Sequence, residues 1–210
     1  MLLWPSVWAA APYAAPDAAL GPLLRAVETR YNHAKTLRVS FVESYSVNGR
    51  ARRSESGALT LRKPGRMRWD YTEPAGKLFL SDGKDVFLYT PDKHNVERMK
   101  LKESDDMRAP LAFLLGKLDF QKEFRDFELT PSGRDFTIAA HGASDRLPYD
   151  RIEMLVTASA EIRKLVVIGQ DQSILTFEFS NEILNPIVDG AIFKFHMPPG
   201  AAFAAQEGAN

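Results

Sequence analysis

The stretch from Gly57 to Tyr89, GALTLRKPGRMRWDYTEPAGKLFLSDGKDVFLY, constrains the fold more than any other part of this chain. Leu59, Leu61, Met67, Trp69, Tyr71, Leu78, Leu80, Val86 and Leu88 fall there largely in alternation with polar residues. Successive side chains of an extended strand point to opposite faces, so this pattern predicts a sheet with one apolar face. Pro64-Gly65, Glu73-Pro74 and Asp82-Gly83-Lys84 interrupt the pattern. Gly supplies positive φ and Pro presets φ, so each cluster reads as a turn. Short antiparallel strands joined by tight turns are therefore expected.

Side-chain sorting assigns a length to the first turn. A two-residue Pro64-Gly65 loop would set Arg62 against Met67 and Thr60 against Trp69. Opposed residues share a face, so every apolar residue would then neighbour a polar one. A three-residue loop, Pro64-Gly65-Arg66, instead pairs Lys63 with Met67, Leu61 with Trp69 and Leu59 with Tyr71. It places Lys63 at the rim of the apolar face and sends Arg62 and Arg68 to the opposite face, into water.

The 210-residue chain suits one large β-rich domain and is long enough to bury a sizeable core. Lys and Arg number 27, as do Asp and Glu, and this balance argues against a nucleic-acid partner. The cations Arg62, Lys63, Arg66 and Arg68 form either an anion-binding patch or a solvated strand face. There is no cysteine, which removes disulfides and thiolate chemistry. Residues 1–16 resemble a degenerate signal segment, apolar and Ala-rich but without Lys or Arg before Arg25. The segment is too short to span a bilayer.

Asp17 is placed as the cap of a helix reaching about His33, with Leu20, Leu23, Leu24, Val27 and Tyr31 along one side. Strands are expected over 37–47 and 52–63, then in shorter pieces to Leu101. After a charged loop, Pro110 opens a short helix, Leu111-Ala-Phe-Leu-Leu115, stopped by Gly116. It has no polar face, so it plugs a core or covers an apolar cavity. Further strands are expected at 124–130, 135–141, 151–157, 162–168, 173–180 and 192–197. Pro198-Pro199-Gly200 closes the ordered part, and 201–210 reads as a flexible tail. The fold class that follows is mainly β with a few helices: one strongly curved antiparallel sheet over 17–200, forming an open, incomplete barrel.

Catalytic constellations are missing from the sequence. His33, His94, His141 and His196 lack metal-ligand spacing, and no nucleophile elbow or phosphate loop occurs. Asp105-Asp106 read as solvated acids and Asp82 with Lys84 as turn chemistry.

An ordered set of residues resembles the outer-membrane lipoprotein carrier (LolA-type) family. It comprises Phe41, Gly57-Ala-Leu-Thr-Leu-Arg-Lys-Pro64, Trp69-Asp-Tyr71, Pro74, Ser81-Asp-Gly-Lys84 and Tyr89. Val96, Pro110-Leu-Ala-Phe-Leu-Leu115, Asn181-Glu-Ile-Leu-Asn-Pro186, Phe193-Lys-Phe195 and Pro198-Pro-Gly200 follow in order. The resemblance covers about Leu20 to Gly200. It implies a monomeric, non-enzymatic periplasmic carrier without a cofactor. Such a carrier holds the acyl chains of a lipoprotein in an apolar concavity. Its implied partners are acylated lipoproteins, an inner-membrane ABC exporter and an outer-membrane acceptor lipoprotein. Family members tie a lid down with an Arg before the first hairpin's Pro; here that position is Lys63, which keeps the charge but lacks the planar fork.

The lining expected for the concavity is Phe41, Leu59, Leu61, Met67, Trp69, Tyr71, Leu80 and Leu88, with Leu111, Leu114 and Leu115 from the short helix. Lys63 is the expected latch, donating to lid-helix carbonyls. Trp69 is placed at the wet mouth, where its indole N–H would find a partner. Two other readings stand beside the carrier: a lipid-sensing regulatory domain of the same fold, or a carrier of another lipid or glycolipid. A lipid- or glycan-acting enzyme would need a catalytic cluster that the sequence does not display.

Overall fold

The structure is a computed structural model that describes residues 16–101, 118–144, 147 and 149–204. Helix α1 spans Pro16–His33 and begins one residue before the expected cap, Asp17. Its Leu24, Val27 and Tyr31 are buried, and Leu20 and Leu23 pack against the same core. That is the three-and-four spacing of an amphipathic helix.

Strand β1 (Thr36–Val47) lies at the middle of the sheet. On one side follow β3 (Glu55–Arg62), β4 (Arg66–Glu73), β5 (Leu78–Asp82), β6 (Asp85–Thr90) and β7 (Asn95–Lys100), each paired with the strand before it. On the other side β1 pairs with β12 (Ile174–Leu184), and the order continues β11 (Ile162–Gly169), β10 (Tyr149–Val156), β9 (Asp135–Gly142) and β8 (Phe124–Ser132). Strand β2 (Arg50–Ala51) pairs only with the end of β1, and helix α2 (Phe120–Glu123) precedes β8. Two antiparallel meanders thus share β1 and β12, and the outermost strands do not pair. The sheet is open and curved. Register shifts at Arg38/Ser40, Ser56/Gly57, Arg125/Glu128 and Leu155/Val156 accompany the curvature, since an extra residue on one strand bends it.

The first hairpin corrects the expected register. Arg62 pairs with Arg66, Leu61 with Met67 and Leu59 with Trp69, so the loop is Lys63-Pro64-Gly65. Both three-residue loops keep the apolar side chains on one face, and sorting does not separate them. Arg68 is not in open water: its Nη1 donates to the Ile192 carbonyl at 2.9 Å and its guanidinium pairs with Asp70.

The expected strand over 192–197 is absent. Asp189 accepts a hydrogen bond from the Ala191 N–H at 2.9 Å and opens a 3-10 turn over Gly190–Phe193. The chain then crosses the outer face of the sheet. There Phe195 stacks on Phe87 with ring centroids 4.4 Å apart. Order does not stop at Gly200, because β13 (Ala202–Phe203) pairs in parallel with β7. This terminal segment covers a second, smaller core of Leu80, Phe87, Tyr89 and Val96 on the convex side. Beside it Asp85 accepts hydrogen bonds from Lys100 Nζ at 2.8 Å and Arg98 Nη2 at 2.6 Å, joining β6 to β7.

Two predictions follow from these contacts. A Cβ on Gly57 would lie 2.1 Å from the Asp70 carbonyl oxygen and 2.8 Å from Tyr71 Cα, both backbone atoms. Gly57→Ala therefore forces β3 away from β4, and the urea midpoint should fall by the equivalent of about 1–3 kcal/mol. An unchanged midpoint would contradict this packing. The hydrogen bonds from Lys100 and Arg98 hold the Asp85 carboxyl below its ordinary value of 3.8. A carboxylate with a lowered native pKa stabilises the fold above its unfolded pKa and loses that contribution as pH falls through the native one. Asp85→Asn should thus lower Tm at neutral pH, with the gap to the parent closing in acid. A gap of equal size at both extremes would show that the charge is not responsible.

Candidate functional site: the concave apolar face

The inward side chains of β1, β3 and β4 are Leu37, Val39 and Phe41, Leu59 and Leu61, and Met67, Trp69 and Tyr71, all buried. They continue into Phe79 on β5 and Val86 on β6, and into Leu165, Val167, Leu175 and Phe177 across β11 and β12. Aromatic rings anchor the centre. Phe41 meets Trp69 edge-on at 4.8 Å and Tyr71 at 5.1 Å, and Trp69 tilts against Phe177 at 5.4 Å. Offset and edge-on ring pairs add stabilisation beyond area alone.

Three expectations change here. Trp69 is fully buried rather than at a wet mouth, and its indole N–H points at Met67 Sδ, 3.4 Å away. Leu80 lies opposite Arg68 on the convex side, while Phe79 lies opposite Trp69 and takes the inward place. The cause is the uninterrupted Leu78-Phe79-Leu80 run, in which alternation does not say which residue turns in. Leu88 is half-buried at the margin of the main core. Leu111, Leu114 and Leu115 lie outside the described residues.

Helix α1 covers this face, and polar contacts along its second half secure it. Lys63 Nζ donates to the Tyr31 carbonyl at 2.8 Å. Its ammonium pKa is lowered by desolvation. Arg30 pairs with Glu182 on β12 through Nε at 3.0 Å and Nη2 at 2.5 Å. Tyr31 Oη donates to the other Glu182 oxygen at 2.7 Å and accepts from the Ile162 N–H at 2.9 Å. Burial, then the Glu182 charge, push the Tyr31 hydroxyl pKa well up. Asn32 exchanges two hydrogen bonds with the Leu118 backbone, and Glu28 accepts from the Phe120 N–H. No sequence spacing announced these pairs, because their members come from opposite ends of the chain.

The other end of the face is also polar. Tyr71 Oη donates to the buried Glu43 carboxylate at 3.0 Å. Lys77, paired with Glu55, sits 4.4 Å above the Tyr71 ring. Among the described residues no group of His, Asp and Glu could hold a metal ion, and no helix is long and apolar enough to cross a membrane.

An apolar concavity inside one open sheet, covered by an N-terminal helix, is joined by a family match. The outer membrane lipoprotein carrier protein LolA family matches residues 32–196. The chain belongs to this family. It is 27% identical over 169 residues to an outer-membrane lipoprotein carrier protein of Nitrosospira multiformis, covering 80% of this chain and 81% of that one. With the protein of the same name from Dechloromonas aromatica it shares 28% over 172 residues, again covering 80% and 81%. Its fold is similar to the crystal structure of MucB, with a TM-score of 0.52 and 12% identity over 85% of this chain and 63% of that one.

Tyr31 provides a test of the helix clamp. Tyr31→Phe leaves the ring in the core but removes the donor to Glu182 and the acceptor for Ile162 N–H. Loss of a partner to buried polar groups should cost about 1–3 kcal/mol. Hydrogen exchange should speed up first in α1 and at Ile162. Loss spread evenly over the sheet would argue that Tyr31 supports the core in general and not the helix.

Proposed function

We propose that this protein is a non-catalytic periplasmic carrier that shelters the acyl chains of lipoproteins between α1 and the concave sheet. It would receive them from an inner-membrane ABC exporter and pass them to an outer-membrane acceptor lipoprotein. The observation that carries this reading is the contrast between the face and its cover. The face is apolar and continuous, from Leu37 and Leu61 at one end to Phe41 and Tyr71 at the other. The cover is attached at its second half by a limited set of hydrogen bonds and one buried ion pair.

Magnitudes favour exchange of cover for cargo. A long acyl chain moved from water to an apolar site gains on the order of 10 kcal/mol at roughly 0.8 kcal/mol per CH₂. A typical hydrogen bond contributes only about 1 kcal/mol net. Cargo can therefore displace α1, and water alone cannot. Burial is non-directional, so the site can accept chains of differing length and still release them. The Phe41–Trp69–Phe177 cluster supplies a floor with few polar groups. In this reading Phe41, Leu59, Leu61, Met67, Trp69 and Tyr71 contact the acyl chains, Phe79 takes the place expected of Leu80, and Lys63 is the latch.

The test is direct. The purified protein should be a monomer that binds an apolar fluorescent probe, and a triacylated peptide should displace the probe while its unacylated form does not. Lys63→Leu removes the bond to Tyr31 and should speed probe uptake and release without unfolding the protein. Lys63→Arg, with more donors, should slow both. Probe fluorescence no higher than with an ordinary soluble protein would end the carrier reading. Identical exchange rates in the three proteins would remove Lys63 from it.

A further inference from the structure

Beside the latch, but outside the apolar face, lies a pocket of about 400 Å³. Its walls come from three separated pieces of chain: the end of α1 with Asn32, the entry to β1 with Lys35 and Thr36, and the end of β3 with Arg62 and Lys63. Val188 of the terminal segment closes it. Lys35, Arg62 and Lys63 are its charged lining groups, and no carboxylate lines it.

The cations are not consumed by ion pairs. None of the ion pairs among the described residues includes Lys35, Arg62 or Arg66. Arg62 also faces Arg66 directly across the hairpin, a like-charge pair with no acid between the two strands at that point. The nearest acid in sequence, Asp189, turns its carboxylate to the Ala191 N–H. Lys63 uses a donor on the Tyr31 carbonyl, and an ammonium has three.

The walls are fixed in advance. The Lys35 N–H donates to Asn185 Oδ1 at 2.8 Å, Thr36 Oγ1 to the Pro186 carbonyl at 2.8 Å, and the Lys63 N–H to the Lys35 carbonyl at 2.9 Å. Asn32 is held by Leu118. Gly190 leaves space for the Arg62 guanidinium, since a Cβ there would stand 3.1 Å from its Nη1. Concentrated positive charge in a preformed hollow is unfavourable until an anion enters, and preorganisation lowers the cost of binding one.

We propose that this pocket is a tetrahedral oxyanion site of the phosphate class, with Arg62 and Lys35 as its principal ligands and Lys63 contributing a spare donor. Arg presents a planar fork that matches two phosphate oxygens, and Lys adds a point charge. A carboxylate would bring a single charge to three cations; phosphate brings up to two and more acceptors. The source is either free phosphate or the phosphodiester headgroup of an anionic lipid. The site stands independently of the carrier reading, because none of its principal ligands touches the apolar face.

The experiment is titration of inorganic phosphate into the full chain at constant ionic strength, followed by calorimetry and by the amide resonances of Lys35, Arg62 and Gly190. Saturable binding with shifts confined to those resonances is expected. The Arg62→Gln/Lys35→Gln double variant should bind about tenfold more weakly or worse, each lost charge-assisted bond being worth at least about 1.4 kcal/mol. Arg25→Gln is the control: Arg25 lines a separate cleft of about 770 Å³ along α1, so this variant should bind like the parent. Unchanged melting and unchanged apolar-probe binding would show the double variant to be folded. A second arm compares sedimentation with vesicles of phosphatidylglycerol and of phosphatidylcholine. Retention on the former that the double variant loses assigns the lipid headgroup. Phosphate binding without vesicle retention assigns the free ion. Non-saturable titration, or equal affinity in the parent and the folded double variant, would overturn the site.

Discussion

An open sheet with an apolar concave face cannot stay uncovered in water, and the rest of the structure is arranged around that constraint. The side chains of Leu24, Val27 and Tyr31 enter the concavity from α1. Each such burial is worth about 1.5–3 kcal/mol relative to exposure. Hydrophobic contact thus supplies most of the attraction between helix and sheet. It does not fix position, since apolar contact is tolerant of sliding. Position comes from the polar set at the end of the helix: Lys63 on the Tyr31 carbonyl, Glu182 between Arg30 and Tyr31, and Asn32 on Leu118. These reach the helix from β3–β4, from β12 and from the segment before α2. The cover is thereby referenced to both meanders at once.

The convex side follows a different logic. Under β4 to β7 the sheet is apolar on both faces, with Phe79 and Val86 inward and Leu80, Phe87 and Tyr89 outward. The outward set would be an aggregation-prone patch on an edge of the sheet. Phe195 and β13 cover it instead, with Phe195 stacked on Phe87 and Ala202 and Phe203 extending the pairing beyond β7. Arg68 ties the preceding turn down through the Ile192 carbonyl. The half of the sheet that carries the Trp69 cluster is therefore backed by a second layer.

This two-sided burial marks where the sequence was legible and where it was not. Alternation located β3, β4 and β6, and the three-and-four spacing located α1, because each has one polar face. It misplaced Leu80, because Leu78-Phe79-Leu80 is apolar without interruption and its outer partners lie at the far end of the chain. The same cause made 192–197 look like a strand: every second residue is apolar because Phe193 and Phe195 are seated against the sheet, without ladder hydrogen bonds. The hairpin loop was displaced by one residue because two registers sort the faces identically. Trp69 was expected at a polar boundary on account of its N–H; the Met67 thioether, two residues earlier, supplies a weak acceptor inside the core. The lining of the concavity was otherwise readable from spacing. The Glu182 clamp was not, since nothing in local sequence joins residues in α1 to the end of β12.

The identity of residue 63 connects the two polar features at this end of the molecule. An Arg there would spread five donors over a rigid plane, and several helix carbonyls could be held together. Lys63 makes a single printed bond, to Tyr31, and its neighbours Lys35 and Arg62 crowd it with like charge. Desolvation lowers its pKa further. All three effects weaken the grip of the ammonium on the helix carbonyl. Neutralising the pocket with an anion would remove the repulsion but also offer Lys63 a competing acceptor. Whether α1 tightens or loosens then depends on which acceptor the ammonium prefers. A carbonyl at a helix C-terminus carries about half a unit of negative charge shared among several groups, and a phosphate oxygen carries more. The geometry thus sets the latch and the pocket in competition for one side chain.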